Sequence, residues 1–164
     1  MQAGTLIFFS GKMGAGKSTK AKHISKQRNA VLIQEDEWLS MLYPNQITTF
    51  ADYLHYSSIL KPVVKLLVLE ILKTGTSVVM DFPANTARHR KWFAELISET
   101  NAQHELIYLK TGDDICLEQI AKRRTEQPER AGFDTESMFM EVSRYFEEPT
   151  HIEGFNLYIE ERNE

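Results

Sequence analysis

Eight residues carry the densest chemistry in the chain: Gly11, Lys12, Met13, Gly14, Ala15, Gly16, Lys17 and Ser18, with Thr19 following. The glycines give the backbone access to left-handed conformations and let it approach a ligand closely. A loop free to turn this way aims successive N–H groups into one concavity, which suits an anion. The spacing G-x-x-x-x-G-K-[ST] sets the Lys17 ammonium within reach of the outer phosphates of a nucleoside triphosphate, and the Ser18 hydroxyl where it ligates Mg²⁺. A helix starting near Lys17 adds unpaired N–H groups and the positive end of its dipole. Gly11 to Thr19 is therefore expected to cradle a triphosphate. Lys12 is expected to face solvent.

The same logic extends to other charged residues that follow apolar runs. "IQEDEW" supplies Glu35, Asp36 and Glu37. Carboxylates beside a triphosphate repel it unless Mg²⁺ or an acceptor hydroxyl intervenes, so one of them suits a general base. Asp36 is the first choice and Glu35 the alternative; acids capping a short helix are the ordinary reading. "SVVMD" ends in Asp81, placed to hold Mg²⁺ through water or to hold Ser18. Arg88, His89, Arg90 and Lys91 lie in the first turns of a helix, where each cation opposes the dipole by about 0.3–1 kcal/mol. A bound anionic substrate would offset that, and a solvated basic face reads equally well. Arg88, nearest the strand end, is the expected substrate contact, while His89 reads as surface or packing. Arg123, Arg124 and Arg130 border a polar loop that could close over the triphosphate, with Arg123 and then Arg130 expected to meet its phosphates. A basic helix C-terminus is also ordinary dipole stabilisation.

These residues need strands and helices to bring them together. "TLIFFS" (5–10), "AVLIQ" (30–34), "TSVVMDF" (76–82), "HELIYLK" (104–110) and "GFNLYIE" (154–160) read as strands. Helices are expected at 17–28, over "EDEWLSML", at 51–74, from "NTARHRKWFAELISET", from "DDICLEQIAKRR" and from "TESMFMEVSRYFEE". Pro62 either kinks the long helix or starts a second. Alternating elements imply an α/β fold with a parallel sheet and helices on both faces. Ligands on such sheets bind at the carboxyl ends of the strands. Phe133, Phe139, Tyr145 and Phe146, at roughly helical spacing, read as core. Trp38 and Tyr43 would line an acceptor pocket or simply pack.

Composition narrows the function classes. The 164 residues are 42% hydrophobic and 26% charged, which suits a single soluble domain over 1–164. A net charge of −4 disfavours broad nucleic-acid contact. The one cysteine, Cys116, excludes an intrachain disulfide, points to a reducing compartment and reads as a small buried apolar residue. "PVVKLLVLEIL", interrupted by Lys65 and Glu70, is too short and too charged to span a membrane. The N-terminus lacks a signal-peptide pattern, so a cytoplasmic protein is expected.

Taken together, "FFSGKMGAGKST", "IQEDEW", "SVVMDFPANT", the "LEQIAKRR" helix and "RYFEEP…EGFNLYIE" resemble the small P-loop kinases of the AAA-domain ATP-binding protein family. That family is related to polynucleotide kinase and zeta-toxin-type kinases. The resemblance covers nearly the whole chain. It implies a P-loop NTPase fold, a five-stranded parallel sheet flanked by helices, nucleoside-kinase-like with a short lid at about 124–134. It also implies binding of ATP and Mg²⁺ and transfer of the γ-phosphoryl group to a hydroxyl of a small-molecule acceptor. Lys17, Asp36 as base and Arg123 would carry the chemistry, with Ser18 and Asp81 at the metal. Two positions depart from the pattern: Leu39 stands where relatives often place an arginine that grips an acceptor phosphate, and Gln119 where many have an arginine one turn before Arg123. The first argues against a 5′-hydroxyl nucleic-acid acceptor. An ATP-dependent switch and a toxin-like kinase acting on an activated sugar or nucleotide remain alternatives. A GTPase is disfavoured, because N-K-x-D is missing and "DFPA" replaces D-x-x-G.

Overall fold

The computed structural model of the protein describes residues 2–163. Five strands, β1 (Leu6–Ser10), β2 (Val31–Gln34), β3 (Val78–Pro83), β4 (His104–Thr111) and β5 (Leu157–Arg162), form one parallel sheet in the order β2-β3-β1-β4-β5. The central strand β1 is buried along its whole length, as a continuous apolar run in a parallel sheet requires. Its side chains alternate between the two faces. Leu6 and Phe8 meet α3 (Phe50–Lys73) and α4 (Ala87–Thr100) through Leu60, Val64, Val68, Leu72, Phe93 and Leu96. Phe8 stacks on Phe93 with ring centroids 4.3 Å apart. Ile7 and Phe9 meet α1 (Lys17–Gln27), α5 (Asp113–Glu126) and α6 (Glu136–Ser143) through Ala21, Ile24, Cys116, Ile120 and Phe139. Cys116 is thus a buried apolar side chain.

The sheet is the expected α/β architecture; the question left open at Pro62 resolves into one helix, and the end of α6 and the start of β5 differ most from the sequence reading. Helix α3 runs unbroken through Pro62. Leu60, Val64 and Val68, buried on either side of the proline, hold the helix to the sheet across the missing backbone donor. Helix α6 ends at Ser143, before the aromatic pair. Its last turn tightens as Arg144, Tyr145 and Phe146 each donate to the carbonyl three residues back, and the Glu147 N–H then leaves for the Asn85 carbonyl at 2.8 Å. Tyr145, read as core, is consequently 69% exposed, while Phe146 packs beside Tyr108 with centroids 5.8 Å apart. Strand β5 starts at Leu157 rather than 154, because a Thr150–Glu153 capping box and left-handed Gly154 (φ 86°) make a turn first. Among the described residues no helix is long and apolar enough to cross a membrane.

This topology positions the site. Strand order reverses around β1, so the loop leaving β1 emerges between the ends of β3 and β4. That crevice is where open α/β sheets bind ligands.

Candidate active site

The Gly11–Ser18 loop joins β1 to α1, as its motif requires. Gly14 and Gly16 have φ of 78° and 102°, in the left-handed region that side chains disfavour. A Cβ on Gly14 would stand 2.5 Å from the Cys116 carbonyl oxygen and 2.9 Å from Ile120 Cγ1, so α5 backs the loop directly. No side chain caps α1 and no acid lies in its first turn, which leaves its N-terminal N–H groups for an anion. Two side chains brace the loop from outside: Thr111 Oγ1 donates to the Ala15 carbonyl at 3.0 Å, and the Gly11 N–H donates to Asn85 Oδ1 at 2.9 Å. Lys17 Nζ donates to the carbonyls of Gly11 and, at 3.0 Å, Lys12. Burial of that ammonium lowers its pKa to about 8, a shift that the Asp81 carboxylate opposes. Lys12 pairs at the surface with Asp113 at 3.0 Å.

Ser18 Oγ donates to Asp81 Oδ2 at 2.7 Å. Asp81 is register partner to Gln34 on β2, and Gln34 Nε2 donates to the same oxygen at 3.1 Å. Sheet register therefore fixes the carboxylate that faces the loop. Two hard oxygen donors, a hydroxyl and a carboxylate, suit Mg²⁺, which takes few protein ligands beside phosphate oxygens and water.

The two candidate bases part in their surroundings. Glu35 is 2% exposed; Tyr53 Oη donates to its Oε1, and Ser57 Oγ to its Oε2 at 2.7 Å. Burial raises its pKa, against those two hydrogen bonds. Asp36, one residue on, has a side chain 68% exposed and stands 3.8 Å from Arg130 Nη1. Desolvation in the cleft raises its pKa, and Arg130 opposes the rise. Arg123 forms a fork on Asp134, with Nε to Oδ2 at 2.8 Å and Nη2 to Oδ1 at 2.6 Å. Arg130 Nε joins the same Oδ2 at 2.9 Å. Burial of Asp134, which is 0% exposed, works to raise its pKa, but the two arginines prevail and hold it low. Lys17 senses the charges of Asp81, Arg123 and Asp36, and Asp36 those of Arg130, Asp81 and Arg123. These groups converge on one centre.

On the helix after β3, the basic residues separate. Arg88 is exposed. Arg90 is buried, where its Nε binds Glu153 at 2.8 Å and its Nη1 donates to the Ala84 carbonyl at 2.9 Å, a tie between α4 and the turn before β5. His89 Nδ1 accepts the Asn85 N–H at 3.3 Å, and burial together with Lys61, Arg90 and Arg88 lowers its pKa to about 4. Trp38 and Tyr43 pack against the α3–α4 core. A groove of about 430 Å³ opens beside Lys12 along the ends of β4 and β5, lined by Thr111, Gly112, Ser143 and Asn163.

Sequence reasoning missed Asn85, Gln34 and Asp134. The rule that strand ends carry function pointed towards the first two, but an amide has no charge to mark it. Asp134, directly before the N-cap Thr135, reads in sequence as an ordinary helix-start residue.

A five-stranded parallel sheet flanked by helices, with this loop between its central strand and the first helix, is the fold of P-loop kinases. The model of the AAA domain family matches residues 6–149, and the chain belongs to that family. No curated protein matches the sequence. Among solved structures, the APS kinase CysC of Mycobacterium tuberculosis in complex with AMPPNP and APS is similar, at 17% identity and TM-score 0.64, over 98% of this chain and 90% of that one. Kti12 of Chaetomium thermophilum in complex with ADP-AlF3 is similar at 16% identity and TM-score 0.66, over 95% and 88%. A sugar kinase from Janibacter sp. aligns at 13% identity and TM-score 0.64, over 96% and 85%.

Proposed function

We propose that the protein is an ATP-dependent kinase that transfers the γ-phosphoryl group to a hydroxyl of a small acceptor. One observation carries the reading: Asp36 faces the lid's Arg130 at 3.8 Å, so an exposed carboxylate and a lid cation border the space above Lys17. Main-chain N–H groups of the loop and α1 hold the phosphates, and Lys17 exchanges its loop carbonyls for their oxygens. Ser18 and Asp81 would hold Mg²⁺, which would supply charge neutralisation to the transferring phosphoryl group. The acceptor oxygen forms its bond to γ-phosphorus as the bond to the β,γ-bridging oxygen breaks, and ADP leaves. The hydroxyl proton passes to Asp36, and Arg123 and Arg130 stabilise the charge on the moving phosphoryl group. Asp36 serves better than Glu35, whose two oxygens are occupied by Tyr53 and Ser57. The groove beside Lys12 offers room for the nucleoside.

The test is ADP release from Mg-ATP with and without a panel of hydroxylated metabolites and nucleosides. Acceptor-dependent turnover is expected, lost in Lys17→Ala and reduced about 10²–10⁴-fold in Asp36→Asn, the usual worth of a positioned base. Acceptor-independent turnover, or none, would replace the kinase reading with that of a nucleotide-dependent switch.

A further inference from the structure

Helix α3 presents Tyr53, Ser57, Lys61 and Lys65 at four-residue steps on one face. The first two hold Glu35 at the end of β2. Lys65 is neutralised by Glu99 at 2.7 Å and Glu95 at 3.9 Å. Lys61, half-buried between them in sequence, has no carboxylate within ion-pair distance among the described residues; its Nζ lies 5.6 Å from the centroid of the Trp92 ring. Across from it, α4 begins directly after the carboxyl end of β3, capped by Thr86. Its first turn carries Arg88, which likewise has no ion pair among the described residues, whereas Arg90 is committed to Glu153.

Arg88 lies four residues before Trp92 on α4, one helical turn from the ring that Lys61 approaches, and Lys61, Arg88 and Arg90 all act on His89. The imidazole is kept neutral there and accepts the Asn85 N–H, while Asn85 in turn braces Gly11 of the phosphate loop. The acids that face this corner are Glu147, near His89, and Glu35, near Lys61. Glu35 is buried and already engaged by two hydroxyls. The corner thus holds two unpaired cations, the positive end of a helix and an aromatic wall, one residue removed from the phosphate loop and on the α3 side of it. Holding that charge uncompensated costs free energy, and an oxyanion recovers it.

Building on the kinase reading, we propose that the acceptor is itself anionic, a hydroxylated small molecule whose phosphate, sulfate or carboxylate group seats between Lys61 and Arg88 while its hydroxyl faces Asp36. Lys61 is then a substrate-binding residue, and the enzyme selects charged acceptors over neutral analogues.

Two measurements test this. In the first, inorganic sulfate is titrated by NMR into protein whose phosphate loop is filled with Mg-AMPPNP. Saturable shifts are expected at His89 and the Trp92 indole, weakened about tenfold in Lys61→Met and in Arg88→Ala. Shifts confined to other regions, or equal in wild type and both variants, overturn the site. In the second, matched acceptors that differ by one ester, such as a nucleoside and its monophosphate or a hexose and its phosphate, are compared in Mg-ATP turnover. The anionic member is expected to have a kcat/KM at least tenfold higher, with the preference reduced about tenfold in Lys61→Met mainly through KM. Equal use of both members, or a preference untouched by Lys61→Met, refutes the selectivity. If no acceptor stimulates turnover, the kinase reading fails, and the sulfate titration alone decides whether the corner binds anions.

Discussion

The ammonium of Lys17 makes nucleotide affinity a function of pH. Its pKa in the protein is about 8, against an ordinary 10.5, because enclosure by the loop disfavours charge. A triphosphate beside it restores the charged form across the working range, so affinity follows the fraction of unliganded protein in which Lys17 is protonated. With a pKa of about 8, that fraction is about 0.9 at pH 7, about one-half at pH 8 and about 0.09 at pH 9. Binding takes up a proton wherever the free lysine lacks one, so affinity falls as pH rises. The Kd for Mg-AMPPNP should weaken about tenfold between pH 7 and pH 9, or about 1.4 kcal/mol. Magnesium keeps the triphosphate ionised throughout this window. Titration calorimetry at pH 8, in buffers of different ionisation enthalpy, should register uptake of about half a proton. Lys17→Met should bind weakly and show neither effect, which isolates the lysine from other groups. A flat wild-type Kd from pH 7 to 9 with no proton uptake would refute the reasoning. The same depressed pKa means that the unliganded fold gains stability as pH rises from about 8 towards 10.5, the window in which only the unfolded chain keeps that proton.

Two other perturbations test the loop and the lid. Asp134→Ala leaves two arginines, about one-third exposed, without their shared carboxylate. Losing one member of a buried pair costs about 3–5 kcal/mol, and hydration of the arginines reduces this to about 2–3 kcal/mol in urea unfolding at pH 7. Because its folded pKa is held low, the contribution of Asp134 is present above the ordinary carboxylate range and declines on acidification, so the gap between wild type and Asp134→Asn should narrow progressively below pH 5. A gap independent of pH would remove the charge from the explanation. Gly14→Ala meets both a left-handed φ and the Cys116 carbonyl at 2.5 Å, whereas Gly16→Ala meets only the φ penalty. The strain alone costs about 1–2 kcal/mol, so Gly16→Ala should lose that much in denaturant unfolding and Gly14→Ala clearly more; equal losses would mean that α5 yields to the loop.

The loop, the sheet and Asp81 were legible in the sequence because each rests on a local pattern: glycine spacing, continuous apolar runs and a charge at a strand end. Convergence was not. That Arg123 and Arg130 share one carboxylate depends on the turn after α5 folding Asp134 inward, and local sequence does not encode that contact. The sequence reading preferred Asp36 to Glu35 as base, but the different surroundings of the two carboxylates depend on α3. Only the placement of Tyr53 and Ser57 reveals that Glu35 is spoken for, and those two residues lie 18 and 22 positions away in the chain. The end of α6 was misjudged for a related reason. Helical spacing continues through Tyr145 and Phe146, but the N–H of Glu147, just beyond them, pairs with the Asn85 carbonyl instead.

The lid and the loop also share a principle that the sequence could not display. Each side chain proposed to meet phosphate or metal already has a protein partner: Lys17 has the carbonyls of Gly11 and Lys12, Ser18 has Asp81, and Arg123 and Arg130 have Asp134. Binding a triphosphate at these positions exchanges one set of hydrogen bonds for another, so each contributes only the difference between two charge-assisted contacts. Desolvation has largely been met by the fold beforehand, which keeps these groups oriented and lets phosphate replace carbonyl or carboxylate with little rearrangement. Lys61 and Arg88 stand outside this arrangement. An anion arriving there gives up only water and meets a field already positive, so the acceptor corner should gain more per charge than the phosphate loop does. Discrimination between acceptors would then be strongest where the protein has left its own charges unpaired.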